Sequence, residues 1–478
     1  MIDDAIDAAF RPFAKALSDV VFLAIPIGDA ELPWIVAWLI AGAVFFTVYL
    51  RFINLRGMRH AVRIVRGDFS DARSPGELTH FQALTTAISG TVGVGNIAHV
   101  AIAVSVGGPG ALFWLVVAGF LGMSTKFAEC MLAVRYREID EDGVVSGGPM
   151  YTLRKGLAER GWPRLGRGLA GYYAFCILVG ALGIGCMFQS NQAYVQLVGV
   201  TGGDASFFAT RGWLVGLGLA ALVGVVIIGG IRTIAEVTQR LVPFMALLYA
   251  TMAVVVIGAN VEKLPGALLA IVRGAFSPEG VSGGVIAVMV LGFRRAAFSN
   301  EAGIGSAAIA HSAVRTDEPV TEGFVALLEP FIDTIVICSL TALVITVTVY
   351  DPANPTTGLS GVELTSAAME SVVSWFPLPL ALIVALFAYS TMISWSYYGL
   401  EGWIYLFGGS RPMRLSYHAI FCAGVVVGCT AQLDAVLDFS DALIFAMALA
   451  NIFGLYALAP VVKRELDAYW SRLGPGQR

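Results

Sequence analysis

Residues 89–96 read Ser-Gly-Thr-Val-Gly-Val-Gly-Asn, inside an apolar stretch long enough to cross a membrane. A helix that only had to span lipid would gain nothing from glycine at 90, 93 and 95, since each costs a helix interior about 0.8–1 kcal/mol relative to Ala. The run therefore predicts a helix that breaks at membrane depth. A break frees backbone N–H and C=O groups, which lipid cannot satisfy. They must face protein or a polar ligand, so the two half-helix ends are candidate sites for an anion and a cation. The alternative is close helix packing through small residues.

Elements able to hold such a break are plentiful. The 478 residues are 57% hydrophobic and 13% charged, with mean hydropathy +0.77. A soluble domain carries about 25% charged residues, so this is an all-α polytopic membrane protein. Apolar spans lie near 33–50, 83–106, 111–134, 171–200, 213–230, 236–258, 282–312, 323–349, 376–407, 415–432 and 440–462, about eleven transmembrane helices by the ~20-residue criterion. The cysteines Cys130, Cys176, Cys186, Cys338, Cys422 and Cys429 form no CxxC pair, which argues against a disulfide framework or zinc site. The chain opens Met-Ile-Asp-Asp, without the basic n-region of a signal peptide.

Charge in the loops alternates. Arg51, Arg56, Arg59, Arg63, Arg66 and Arg73 follow the first span. Arg135, Arg137, Arg154, Lys155, Arg160, Arg164 and Arg167 follow the third, Arg411 and Arg414 the ninth, and Lys463, Arg464, Arg472 and Arg478 the last. The alternate loops carry Asp351, Glu363 and Glu370, then Asp434, Asp438 and Asp441, and the N-terminal stretch carries Asp3, Asp4, Asp7, Asp19, Asp29 and Glu31 against Arg11 and Lys15. The positive-inside rule then places the N-terminus outside and the C-terminus in the cytoplasm of a plasma (inner) membrane. Lys263 and Arg273, in an expected outside loop, dissent.

The span over 282–312 repeats the first signal: Phe298-Ser299-Asn300-Glu301-Ala302-Gly303-Ile304-Gly305-Ser306 is again polar and Gly-interrupted. The charge topology runs the two spans in opposite directions. Two interrupted helices at equivalent places in inverted halves point to a secondary transporter's binding site. The expected organisation is an extra N-terminal helix plus a five-plus-five inverted repeat with two broken helices. Its units are 1–75 (extra helix and basic loop), 76–265 (first repeat) and 266–478 (second repeat and tail).

The stretches ALTTAISGTVGVGNIA (83–98), GGPGALFW (107–114), GMSTKFAECMLAVRYRE (122–138), GGPMY (147–151), FSNEAGIGSAAIAH (298–311), EPFIDTIVICSLTALVI (329–345) and FAYSTMISWSYYG (387–399) resemble the sodium:alanine (alanine/glycine:cation) symporter family. That family is similar in architecture to the LeuT-type transporters. The resemblance implies sodium-coupled symport of a small neutral amino acid, alanine or glycine, by alternating access. Na+ would be the coupling ion, with no other cofactor. Position 99 departs from the pattern: it is His where a small residue is expected.

A zwitterion needs donors for its carboxylate and acceptors for its ammonium. The N–H groups of Val94 and Gly95 would be the donors, at the positive end of a half-helix. The carbonyl of Thr91 suits the ammonium, and Gly93 lets a ligand approach. Asn96 either binds ligand or ion, or caps the half-helix. The resemblance further implies a sodium site from the carbonyls of Ser89, Val92 and Phe387 and the hydroxyls of Ser390 and Thr391. Alternatively those hydroxyls bond the carbonyl one turn back. Phe298, Ser299 and Asn300, at the second expected break, would form pocket wall, as would Phe188 and Gln189. Met392 and Trp395 would floor the pocket or belong to the core.

Lys126, Glu129, Arg294, Arg295, Glu301, Glu329, Asp333 and Glu401 lie in or beside spans, where ionisable residues default to a functional hypothesis. Lys126 and Glu129, three apart, could pair, and Glu301 could neutralise Arg294 and Arg295, which suit an outer gate. Of the histidines, His99 and His311 are candidates for depth in the membrane. No P-loop or nucleophile–base constellation is present, so the chain is not expected to be an enzyme or to bind nucleic acid; its partners would be amino acid, sodium and the bilayer. The rivals are a proton-coupled amino acid transporter, with His99 or Glu301 titrating, and, further off, a channel.

Overall fold

The computed structural model describes residues 2–28, 30–71, 73–277, 284–350, 359, 361–430 and 434–473. Met1, Asp29, Asp351 and Arg478, and residues 282–283 and 431–432 of two expected spans, lie outside them. The molecule is built of helices; its described strands are two short antiparallel hairpins, Ala24–Ile27 with Ala30–Pro33 and Glu138–Ile139 with Val145–Ser146.

We number the helices that matter here. α1 (Ile2–Val21) and α2 (Trp34–Tyr49) precede the first broken span, α3 (His80–Thr91) and α4 (Gly95–Gly107). α5 (Gly110–Tyr136), α6 (Pro163–Val200), α7 (Gly212–Ile227) and α8 (Gly230–Ala259) follow. α9 (Leu264–Phe276) leads to the second broken span, α10 (Gly284–Asn300) and α11 (Ala307–Ser312). Then come α12 (Pro319–Thr348), α13 (Gly361–Glu370), α14 (Pro377–Phe407), α15 (Arg411–Thr430) and α16 (Asp434–Arg472). Among the described residues, seven helical runs are long and apolar enough to span, and α3–α4, bent by 44°, makes an eighth if the pair is one span. α2 and α7 are shorter apolar helices.

Local sequence sets these ends. Thr79 and Gln82 form a capping box: Thr79 Oγ1 accepts from Gln82 N–H, and Gln82 Oε1 accepts from Thr79 N–H. α3 stops where Gly93 follows Val92. Wide turns of the π type interrupt α6 at Gly183–Phe188 and α12 at Phe331–Cys338; such bulges often mark functional positions. α1, an element the hydropathy pattern did not foresee, packs along α16. The Phe22 ring, just beyond α1, sits 5.2 Å from that of Phe445.

Candidate functional site

At the first break the chain bends at Val92 and Gly93, after the last α3 bond from Val92 N–H to Ile88 O and before Asn96 N–H returns to Gly93 O. Gly93 N–H donates to Asn96 Oδ1 (2.9 Å), so Asn96 does cap the break. Among the described residues, no acceptor stands against the N–H groups of Val94 or Gly95. α6 closes one side of this gap. Gln189 is buried, its Nε2 donates to Ile184 O (3.3 Å), and its Oε1 has no partner. A β-carbon on Gly93 would lie 2.6 Å from Thr391 Oγ1 and 3.6 Å from Gln189 Oε1. The glycine therefore lets the Thr391 hydroxyl come close against the bend, with the Gln189 carboxamide oxygen beside it. Trp395 Nε1 donates to Gly90 O (3.1 Å) and locks the end of α3 onto α14; Met392 is fully buried on the same helix. Thr91 turns its hydroxyl back onto the carbonyls of Ala87 and Ile88.

The residues expected to hold sodium come together where α3 meets α14. Thr391 Oγ1 donates across to Ser89 O (3.1 Å), and Ser89 Oγ donates to Ser390 O (2.6 Å). Ser390 instead bonds Phe387 O on its own helix (3.0 Å). Val92 is fully buried beside them.

A cluster around one of the ionisable residues expected within a span lies on the opposite side of Asn96. Asp333, buried in the wide turn of α12, accepts from Asn96 Nδ2 (2.6 Å), Ser299 Oγ (2.7 Å) and Thr334 Oγ1 (2.7 Å). Cys338 Sγ lies 3.3 Å from both Asn96 Nδ2 and Ser299 Oγ. Ser299 thus belongs to a polar hub joining α4, α10 and α12. Asn300 bonds Thr334 (2.9 Å) and the N–H of Ala302 (2.9 Å), in that same polar network. Phe298 packs edge-on against His99, ring centroids 4.3 Å apart, and Phe188 stacks with His99 at 5.4 Å.

The second break falls later than the sequence suggested. α10 continues through Asn300, and the turn begins at Glu301, whose φ of 56° ends the helix, followed by Gly303 and Gly305 near 90°. Its peptide groups are filled by side chains. Glu129 Oε1 accepts from Gly303 N–H (2.7 Å) and Asn451 Nδ2 (2.8 Å), while Asn451 Nδ2 also reaches Gly303 O (2.9 Å). Tyr173 donates to Ile304 O (3.1 Å).

Two expected pairings are corrected. Glu129 is engaged at the break, so Lys126 pairs instead with Glu329 at 2.9 Å, both fully buried. Glu301 bonds Ser306 rather than an arginine; Arg294 lies 4.2 Å over the ring of Phe22. His80, at the start of α3, is also buried, its Nδ1 2.6 Å from Glu322 Oε2. His311 Nδ1 meets the other oxygen of Glu322 at 2.5 Å. On this arginine-rich side the lead-in to α3 is zipped to the loop after α11: Leu78 N–H donates to Ala313 O and Arg315 N–H to Leu78 O. Arg137 donates to the carbonyls of Pro75, Ser312, Val314 and Thr316 at 2.5–2.9 Å and pins the zipper to α5.

Residues 24–478 match the model of a family described as the sodium:alanine symporter family. The chain is 38% identical to the sodium/alanine symporter AgcS of Methanococcus maripaludis, over 91% of this chain and 94% of that one. It is 35% identical to a probable sodium/glutamine symporter, GlnT, of Bacillus subtilis, over 91% and 87% of the two chains. A putative sodium/proton-dependent alanine carrier, YrbD, of the same organism is 32% identical over 91% and 89%. The structure of MhsT in complex with L-phenylalanine shares the fold, with a TM-score of 0.53 at 16% identity, over 84% of this chain and all of that one.

Proposed function

The chain belongs to the sodium:alanine symporter family and is a multi-pass membrane symporter of amino acids, a premise from which we propose that it couples sodium entry to uptake of a small neutral amino acid, alanine or glycine. The observation that carries this reading is the first break. The free N–H groups of Val94 and Gly95 suit a carboxylate at a helix N-terminus, and the unpartnered Gln189 Oε1, with the carbonyl of Thr91, suits an ammonium. Sodium, a hard cation that favours oxygen, would sit among Ser89, Val92, Phe387, Ser390 and Thr391 by displacing the hydrogen bonds those groups now make to one another. Its entry would supply about 2.3 kcal/mol per 100 mV in addition to its concentration gradient. The arginine-rich side would be cytoplasmic, and residues 76–265 and 266–478 would be the two repeats that alternate access to the site.

A second reading, proton coupling, now has a different candidate group. Asp333 is a buried carboxylate with hydroxyl and amide donors but no ion pair among the described residues. The test is uptake of labelled alanine and glycine into liposomes at fixed pH. Uptake is expected with an inward sodium gradient and not with a proton gradient alone; the reverse result would establish the second reading. Thr391→Ala removes one oxygen, worth about 1 kcal/mol. It should raise the sodium concentration for half-activation about fivefold and leave maximal uptake at saturating sodium near normal.

A further inference from the structure

His99 lies one turn beyond Gly95 on α4, and helical side chains lean toward the N-terminus of their helix. Its ring is therefore carried back over the break. There Phe188 of α6 stacks on one face and Phe298 of α10 meets it edge-on, so three rings from three helices share one layer. The Nδ1 atom is buried without a hydrogen-bond partner. A β-carbon on Gly95 would lie 3.4 Å from Nδ1, and beyond its own stretch of chain it would meet only the His99 ring within 4 Å. A buried ring nitrogen left unpaired is expensive, and this one adjoins the peptide N–H groups that are also unpaired. Across the gap, Gln189 Oε1 is a further unpaired polar atom, on a side chain that is 4% exposed.

We infer that His99 determines which amino acids the pocket accepts, as its roof and as a third donor, through Nδ1–H, to the substrate carboxylate. The inference rests on the reading of the first break as the amino acid site. The clamped ring sets the height available to a side chain. The nitrogen adds a donor beside Val94 and Gly95, so the carboxylate is gripped on the side facing the roof as well as from below. Neither role needs the ring to carry charge.

Three variants separate the two roles in liposome uptake, with folding checked by the thermal unfolding midpoint in detergent. His99→Phe keeps a ring between Phe188 and Phe298 and removes the donor. The alanine concentration for half-maximal uptake should rise about tenfold, the usual effect of losing a hydrogen bond to a charged group, with serine and threonine still excluded. His99→Gly removes both roof and donor. Alanine should weaken by a similar factor, while threonine uptake relative to alanine should rise at least tenfold. His99→Gln keeps a donor on a flexible stem and should lie closer to wild type than His99→Phe in alanine half-saturation. Wild-type half-saturation in His99→Phe would overturn the donor role. An unchanged amino acid range in His99→Gly would overturn the roof. Absence of any amino acid uptake by the wild type would overturn the reading of the site and this inference with it, whereas normal wild-type uptake with indifferent variants overturns the inference alone.

Discussion

The two broken spans carry the same sequence signal and put it to different ends. In the first, Asn96 fills one peptide N–H, and those of Val94 and Gly95 stay open beside an unpaired carboxamide. In the second, Glu129, Asn451, Asn300 and Tyr173 satisfy the freed groups from surrounding helices. A glycine-rich interruption thus says that backbone groups are released; only the neighbours decide whether protein or ligand receives them. On the proposed reading, the first break receives an occupant that comes and goes. The second is a closed joint, anchored to α5, α6 and α16.

That contrast predicts stability and transport to part company. Glu129→Leu strips the second break of its main acceptor and orphans both the Gly303 N–H and the Asn451 carboxamide. We expect a loss of about 3 kcal/mol or more, read as a lower unfolding midpoint in detergent. A midpoint within error of wild type would mean that the joint is not held there. Asn451→Leu keeps Glu129 on Gly303 and should cost less, about 1–2 kcal/mol. At the first break the sign reverses. Gly95→Ala meets nothing nearer than 3.4 Å and removes a helix-disfavouring residue, so stability should hold or rise by up to about 1 kcal/mol. Uptake of alanine should nonetheless fall, since the methyl group intrudes beneath His99. A parallel fall in stability would make the first break a joint like the second.

Much of this was legible in the sequence because hydropathy and glycine spacing are local. The helix ends fall within a few residues of the apolar spans for most elements, and the first break lies within residues 89–96 as read. The pattern missed what depends on distant partners. Phe298-Ser299-Asn300 looked like the second break, but those residues keep their helical hydrogen bonds and the turn waits for Glu301, which reads as an ordinary helix former. Lys126 and Glu129 sit at pairing distance along one helix, yet each is claimed by a residue more than 170 positions away. Asp333 was legible as a charge within a span, but its partners were not, because the wide turn that aims it at Asn96 and Ser299 leaves little trace in hydropathy. α1 lay outside the apolar windows because its residues mix charge with hydrophobicity.

The ion pair between Lys126 and Glu329 also bears on how the chain is made. The partners are 203 residues apart in sequence, so α5 emerges from the ribosome long before α12. A lysine held within a spanning helix costs about 2.5–3.5 kcal/mol on entering a bilayer alone. Through the synthesis of α6 to α11 that charge has no Glu329 to meet. Until α12 arrives, α5 must keep Lys126 near water, against the insertion machinery, or beside Glu129. Completion of the second half therefore supplies the lasting partner of a charge placed in the first.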